Sequence, residues 1–159
     1  MIEFRSVGKT YPDGTIAVAD FSLIAPSGRT TVLVGSSGCG KTTLLRMVNR
    51  MVSPTSGSVW LDDLDVATTD PVALRRRIGY VMQNAGLLPH RKVIDNIATV
   101  PRLTGVSKAA AHVRALELMD LVGLERAMAG RYPGQLSGGQ QQRVGVARGL
   151  AADPNILLM

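Results

Sequence analysis

Aromatic side chains make up only 4% of this sequence, cysteine occurs once, and no apolar run is long enough to cross a bilayer. The single cysteine, Cys39, excludes an internal disulfide and a metal centre built from several thiolates. The shortage of aromatics argues against nucleic acid as a partner, because no stripe interleaves basic and aromatic residues. The opening residues Met1-Ile2-Glu3-Phe4-Arg5 lack the basic-then-apolar order of a secretory signal, which places the expected site of action on the cytosolic side.

What is present is globular in balance. Of 159 residues, 45% are hydrophobic and 19% charged, enough for one packed domain with a subdomain. Lysine and arginine total 18 against 12 acidic residues, a formal charge of +6. Such an excess suits an anionic partner, or a chain whose acidic remainder lies elsewhere.

Residues Ile2 to Phe4 alternate as a half-buried strand does, and Tyr11-Pro12-Asp13-Gly14 is a turn before a second strand, Ile16 to Ala25. Thr30 to Val34 is short, β-branched and glycine-bounded, which predicts a buried parallel strand. A helix is expected from Lys41 to about Met51. A strand from Ser58 to Leu61 follows, with a turn at Asp62-Asp63, and then another from Ile78 to Met82. From Ser107 to Leu121, Ala111, Ala115, Leu118 and Leu121 recur at helical spacing. Another helix is expected from Gly138-Gly139 to about Ala151, and Ile156 to Met159 reads as a final buried strand. The order is α/β, with a helical insertion between Gln83 and Ser137.

Two stretches carry chemistry. Gly35-Ser36-Ser37-Gly38-Cys39-Gly40-Lys41-Thr42 fits the pattern of glycine, four residues, then Gly-Lys-Ser/Thr. Phosphate oxygens need donors converging from one side, and a glycine-rich turn running into a helix start supplies them from the backbone. In that arrangement Lys41 reaches the β- and γ-phosphates, Thr42 holds Mg²⁺, and Thr43 adds contacts nearer the α-phosphate. Cys39 is read as filler of the loop and open to alkylation. The second stretch is Leu136-Ser137-Gly138-Gly139-Gln140, followed by Gln141-Gln142-Arg143, where a serine hydroxyl and two glycines open a helix.

This second stretch, downstream of the first, resembles the signature motif of the ATP-binding-cassette (ABC) ATPases. The resemblance implies a P-loop nucleotide hydrolase with an N-terminal antiparallel β subdomain and a helical insertion. It divides the chain into residues 1–83 (nucleotide-binding core and β subdomain), 84–136 (helical subdomain) and 137–159 (signature helix and start of a core strand). It also implies ATP and Mg²⁺ as ligands. Tyr11 matches the aromatic that stacks on adenine, and Gln83 the glutamine placed near Mg²⁺ and the attacking water. Ser137, Gly138, Gly139 and Gln140 would address the ATP of a second subunit in a head-to-tail dimer. In that family the strand represented by Ile156 to Met159 is followed by Asp-Glu, and a switch histidine comes later still. The expectation is therefore a cassette incomplete at its C-terminus, without turnover by these residues alone. His90-Arg91-Lys92 and Arg75-Arg76-Arg77 are read as solvated, the former also as a contact for a membrane subunit.

Met47-Val48-Asn49-Arg50, Arg76 to Gln83 and Gly86-Leu87-Leu88-Pro89-His90 are similar to the importer ATPases for glycine betaine, choline and carnitine. That resemblance implies permease subunits, a substrate-binding protein reached through them, and a place at the cytoplasmic face of the membrane. An importer for polar amino acids is the alternative, as is a nucleotide-binding remnant without turnover.

Overall fold

Strands β1 (Ile2–Thr10) and β2 (Ile16–Ala25) form an antiparallel hairpin, with Ile2 opposite Ala25 and Thr10 opposite Ile16. A computed structural model describes all residues 1–159, in two units, Met1–Arg75 and Arg76–Met159. The β1 ladder is interrupted between Phe4 and Val7, where Ser6 takes a left-handed φ of 45°. A bulge changes the two-residue alternation to a three-residue step, so Phe4 and Val7 both turn inward while Ser6 does not. On its other edge β1 pairs antiparallel with β3 (Ser56–Leu61), and β3 turns through Asp62-Asp63 into the short β4 (Leu64–Asp65). The sheet order is β2-β1-β3-β4.

Helix α1 (Lys41–Val48) lies against this sheet, burying Leu44, Met47 and Val48 at the i, i+3, i+4 spacing of one helix face. Each such side chain contributes about 1.5–3 kcal/mol of transfer free energy. The helix is shorter than the sequence pattern predicts. Arg50 goes left-handed (φ 55°), and the N–H groups of Met51 and Val52 return to the Arg46 carbonyl at 2.8 and 3.0 Å. Arg75 is not simply solvated. Its guanidinium donates to the Asn49 carbonyl at 3.0 Å and the Arg50 carbonyl at 2.7 Å, covering acceptors that the helix end leaves open. It sits on α2 (Pro71–Arg76), a helix absent from the sequence reading. Pro71 at its first position and Asp70, which accepts from the Val72 and Ala73 N–H groups at 3.1 Å each, explain its start.

Thr30 to Val34 is a correction. The segment joins neither sheet, and Val32 and Val34 are 73% and 90% exposed. Composition gives it strand character, but a strand exists only when a neighbour accepts its hydrogen bonds, and no strand of this chain pairs with it.

In the second unit β5 (Ile78–Tyr80) runs parallel to β6 (Ile156–Leu158), and the Val81 N–H extends the pairing to the Leu158 carbonyl at 2.8 Å. Around them lie α3 (Val93–Ile97), α4 (Thr99–Leu103), α5 (Lys108–Leu121) and α6 (Gly138–Leu150). Helices α3, α5 and α6 share a core that includes Val93, Ile97, Leu118, Met119 and Val144. On α5 the inward stripe is Ala111, Ala115, Leu118 and Met119, whereas Leu121 is 71% exposed. At 100° per residue Leu121 lies roughly 100° round from the centre of that stripe, so Met119 takes its place. Asn96 is fully buried and satisfied: its Oδ1 accepts from the Leu88 N–H at 2.7 Å, and its Nδ2 donates to the Leu88, Arg91 and Lys92 carbonyls. It thereby holds from beneath the loop that exposes His90, Arg91 and Lys92. No helix is long and apolar enough to cross a membrane.

Candidate functional site

The glycine-rich loop, Gly35 to Gly40, connects the exposed Thr30–Val34 segment to α1. Its last residue, Gly40, has φ 92°, and a Cβ there would be driven into the Ala17 carbonyl of β2. Glycine is required twice over, by the left-handed backbone and by the close approach. Gly40 is also the residue that precedes α1, so no side chain caps the helix, and its first turn carries no acidic residue. The leading N–H groups of α1 therefore keep their donor capacity.

Across the loop lies the ammonium of Lys41, donating to the Gly35 carbonyl at 2.8 Å and the Ser36 carbonyl at 2.7 Å, with the Cys39 sulfur at 3.4 Å. Cys39 is exposed and also fills the space that a Cβ on Gly35 would need, its Sγ being 2.6 Å from that position. Thr42, on the first turn of α1, is exposed, and Thr43 beside it is half-buried. A positive dipole end without a cap, a lysine stationed over it and a threonine hydroxyl on the same turn form a donor set suited to phosphate oxygens and their metal ion. Tyr11 closes the β1–β2 turn. Its N–H donates to the Thr15 carbonyl at 2.9 Å, and the Lys9 ammonium lies 5.3 Å from its ring centre.

The second anion-binding candidate is built differently. Ser137 caps α6: its Oγ accepts from the Gln140 N–H at 3.3 Å, while the Gln140 side chain accepts from the Ser137 N–H at 2.9 Å. That reciprocal pair is a capping box, a serine at the cap and a glutamine three residues later. Gly138 and Gly139 are exposed, with open space where a Cβ would stand, and as first-turn residues their N–H groups have no intrahelical acceptor. Gln141 turns back and donates to the Pro133 and Leu136 carbonyls at 3.1 and 3.2 Å, pinning the approach to the helix. Beside this end opens a pocket lined by Glu125, Met128, Ser137, Gly139, Gln140 and Arg143, among others. Arg143 donates to the Val122 and Gly123 carbonyls at 3.1 and 3.0 Å, and so bridges α6 to the end of α5.

Gln83 is exposed and stands just past β5. Its loop does not meet the start of α6. The residue of α6 beside it, Gly145, is eight positions beyond Ser137, roughly 12 Å along the helix axis. Three features escaped sequence reasoning. One is Arg75 on the end of α1. Another is a hydrogen bond between Asp95 of α3 and His112 of α5, Oδ1 to Nε2 2.9 Å. The third is Arg148, whose guanidinium donates to the Gly86 and Ala85 carbonyls at 2.8 and 2.6 Å. None carried a sequence signal, because each joins residues of different elements that lie 17 or more positions apart.

A loop shaped for phosphate before one helix and a serine-glycine cap opening another define a nucleotide-binding cassette. The ABC transporter family model matches residues 18–159, and the chain belongs to that family. Among curated relatives it is 48% identical, over its full length, to the carnitine transport ATP-binding protein OpuCA of Listeria monocytogenes, of which it covers 40%. It is 50% identical, again over its full length, to the glycine betaine uptake system ATP-binding protein YehX of Escherichia coli K12, of which it covers 51%. The chain thus spans about half the length, or less, of these relatives. In three dimensions it is similar to the dimeric ATP-binding cassette MJ0796 in a post-hydrolysis state bound to ADP and phosphate. The TM-score is 0.91 at 33% identity, covering 99% of this chain and 72% of that one. The fold is accordingly a mixed α/β ABC cassette with an antiparallel β sheet, as its sequence predicts.

Proposed function

We propose that this chain is the nucleotide-binding portion of an importer ATPase that drives uptake of a compatible solute of the betaine, choline or carnitine kind. The observation that carries the proposal is Lys41. Its ammonium rests on two loop carbonyls beside an uncapped helix start, where a polyphosphate would displace those carbonyls and take the cation for itself. The names of the relatives supply the solute class.

In this reading the backbone of Gly35 to Gly40, with Ser36, Ser37, Gly38 and Cys39 in the turn, encloses the phosphates. Lys41 holds the β- and γ-phosphates, Thr43 lies toward the α-phosphate, and Tyr11 offers a ring face to adenine. Thr42 and Gln83 would hold Mg²⁺, which when bound neutralises developing charge on the phosphates. Ser137, Gly138, Gly139 and Gln140 face the nucleotide of a second subunit, and residues 84–136 serve as a helical subdomain toward permease subunits. The work is done at the inner face of the membrane, with a solute-binding protein engaged through the permease.

The test is Lys41→Ala in the complete ATPase within its transport complex. Removing one preorganised charge contact costs on the order of 3 kcal/mol, so hydrolysis at saturating ATP should fall at least about a hundredfold. Turnover equal to that of the unsubstituted complex overturns the assignment.

A further inference from the structure

Helix α6 is held to the chain on both sides of Gln83 at three points. Gly145 lets the chain of Ala85 come close, a Cβ at that glycine lying 3.3 Å from the Ala85 Cβ. One turn on, Gly149 does the same for Val81, 3.0 Å from its Cγ2. Between them Arg148 reaches out and donates to two successive carbonyls, Ala85 and Gly86. Those two residues are both left-handed, with φ of 53° and 55°. For Ala85 that conformation costs free energy, which something must offset.

The arginine itself is half-buried, and no carboxylate pairs with it; burial alone holds its guanidinium below the usual arginine range. Taking a guanidinium partly out of water costs free energy that its hydrogen bonds must offset. What arginine supplies that no apolar residue can is a planar fork able to fix two acceptors at a set spacing.

We propose that Arg148 is a positioning residue for Gln83, clamping the Ala85–Gly86 backbone so that the glutamine loop and the signature helix α6 move as one body. Displacing Gln83 then displaces the Ser137 end of the same helix, some 11 residues, or roughly 16 Å, away from the clamp. The consequence for turnover rests on the ATPase reading above; the clamp itself does not.

The experiment measures two quantities on the complete protein. One is amide exchange of residues 83–86; the other is steady-state ATP hydrolysis, for the unsubstituted chain, Arg148→Met and Arg148→Lys. In R148M the Ala85 amide should exchange at least about tenfold faster, because two charge-assisted hydrogen bonds are lost. The turnover number should drop by about the same factor while KM for ATP stays within about twofold, since the phosphate loop belongs to a different element. R148K, which keeps the charge without the fork, should fall between. If R148M does not fold, Arg148→Gln retains a donor for one carbonyl and carries both measurements, with a change of about threefold expected. Exchange unaltered in R148M, or in R148Q if that variant stands in for it, overturns the clamp. So does a loss that appears wholly in KM. Faster exchange in a protein that hydrolyses no ATP supports the clamp and sinks the ATPase reading instead.

Discussion

Two helices of this chain begin beside glycines, and they begin in opposite ways. Helix α1 follows a left-handed Gly40 and has no side-chain cap, so no side chain takes up its leading N–H groups. Helix α6 follows Ser137, and a reciprocal exchange with Gln140 uses two of its donors internally. The first start offers an anion an unoccupied set of donors with a lysine stationed over it. The second offers only what its cap has not consumed, chiefly the N–H groups of Gly138 and Gly139. One arrangement suits a resident polyphosphate; the other suits a phosphate already held elsewhere and merely completed from the far side. The same contrast separates the glycines, since Gly40 is enclosed and Gly138 is open.

Exchanging each of those glycines for alanine is the strongest way to break the comparison. Gly40→Ala meets a left-handed backbone and the Ala17 carbonyl together. The loop should lose about 3 kcal/mol, seen as a lower denaturant midpoint or as a loop too distorted to hold nucleotide. Gly138→Ala should stay within about 0.5 kcal/mol, as substitutions at unconstrained surface positions do. Equal effects at the two sites would erase the distinction.

A charge at the second start sharpens the picture. Gly138→Asp places a carboxylate where a partner's γ-phosphate is proposed to dock, adding repulsion and bulk. An acidic residue in the first turn also favours the helix dipole, so the fold should not weaken. The expected outcome is unchanged thermal stability and unchanged ATP binding to the loop, with ATP-driven dimerisation lost. Sedimentation with ATP, in a background that cannot hydrolyse it, reads this directly. A normal dimer would remove Ser137 and Gly138 from the interface.

How much of this was legible beforehand depended on range. The hairpin of β1 and β2, the turn at Asp62-Asp63 and the start of α5 after Ser107 rest on local chemistry, and the sequence displays them. Ser107 caps α5 by accepting from the Ala110 N–H, which fixes the boundary to the residue. The phosphate loop was legible for the same reason, as a consecutive pattern. Thr30 to Val34 stays outside both sheets because strand formation depends on a neighbour and not on β-branching alone. Leu121 stays exposed because a spacing of three or four residues, extended over ten, drifts off the face. Arg148 could not be foreseen: its role depends on two left-handed residues more than sixty positions away, and nothing near Arg148 announces them.

The smallest effect tests whether the serine of α6 is there for the helix or for the ligand. Ser137 Oγ accepts from the Gln140 N–H at 3.3 Å, a long bond for a cap, and the Gln140 side chain holds its own half of the exchange independently at 2.9 Å. Ser137→Ala removes only the first. Loss of a serine cap costs about 1 kcal/mol in general, and the surviving half of the box should keep the loss at or below that. Ser137→Asp restores a capping acceptor while adding a charge, so it should recover the stability and still oppose a phosphate. A helix built mainly for its own integrity would show the two variants ranked alike in stability and in ATP-driven dimerisation. A helix start kept for an anion separates them. Alanine should then lose a little of both properties, and aspartate should keep the melting temperature but lose the dimer.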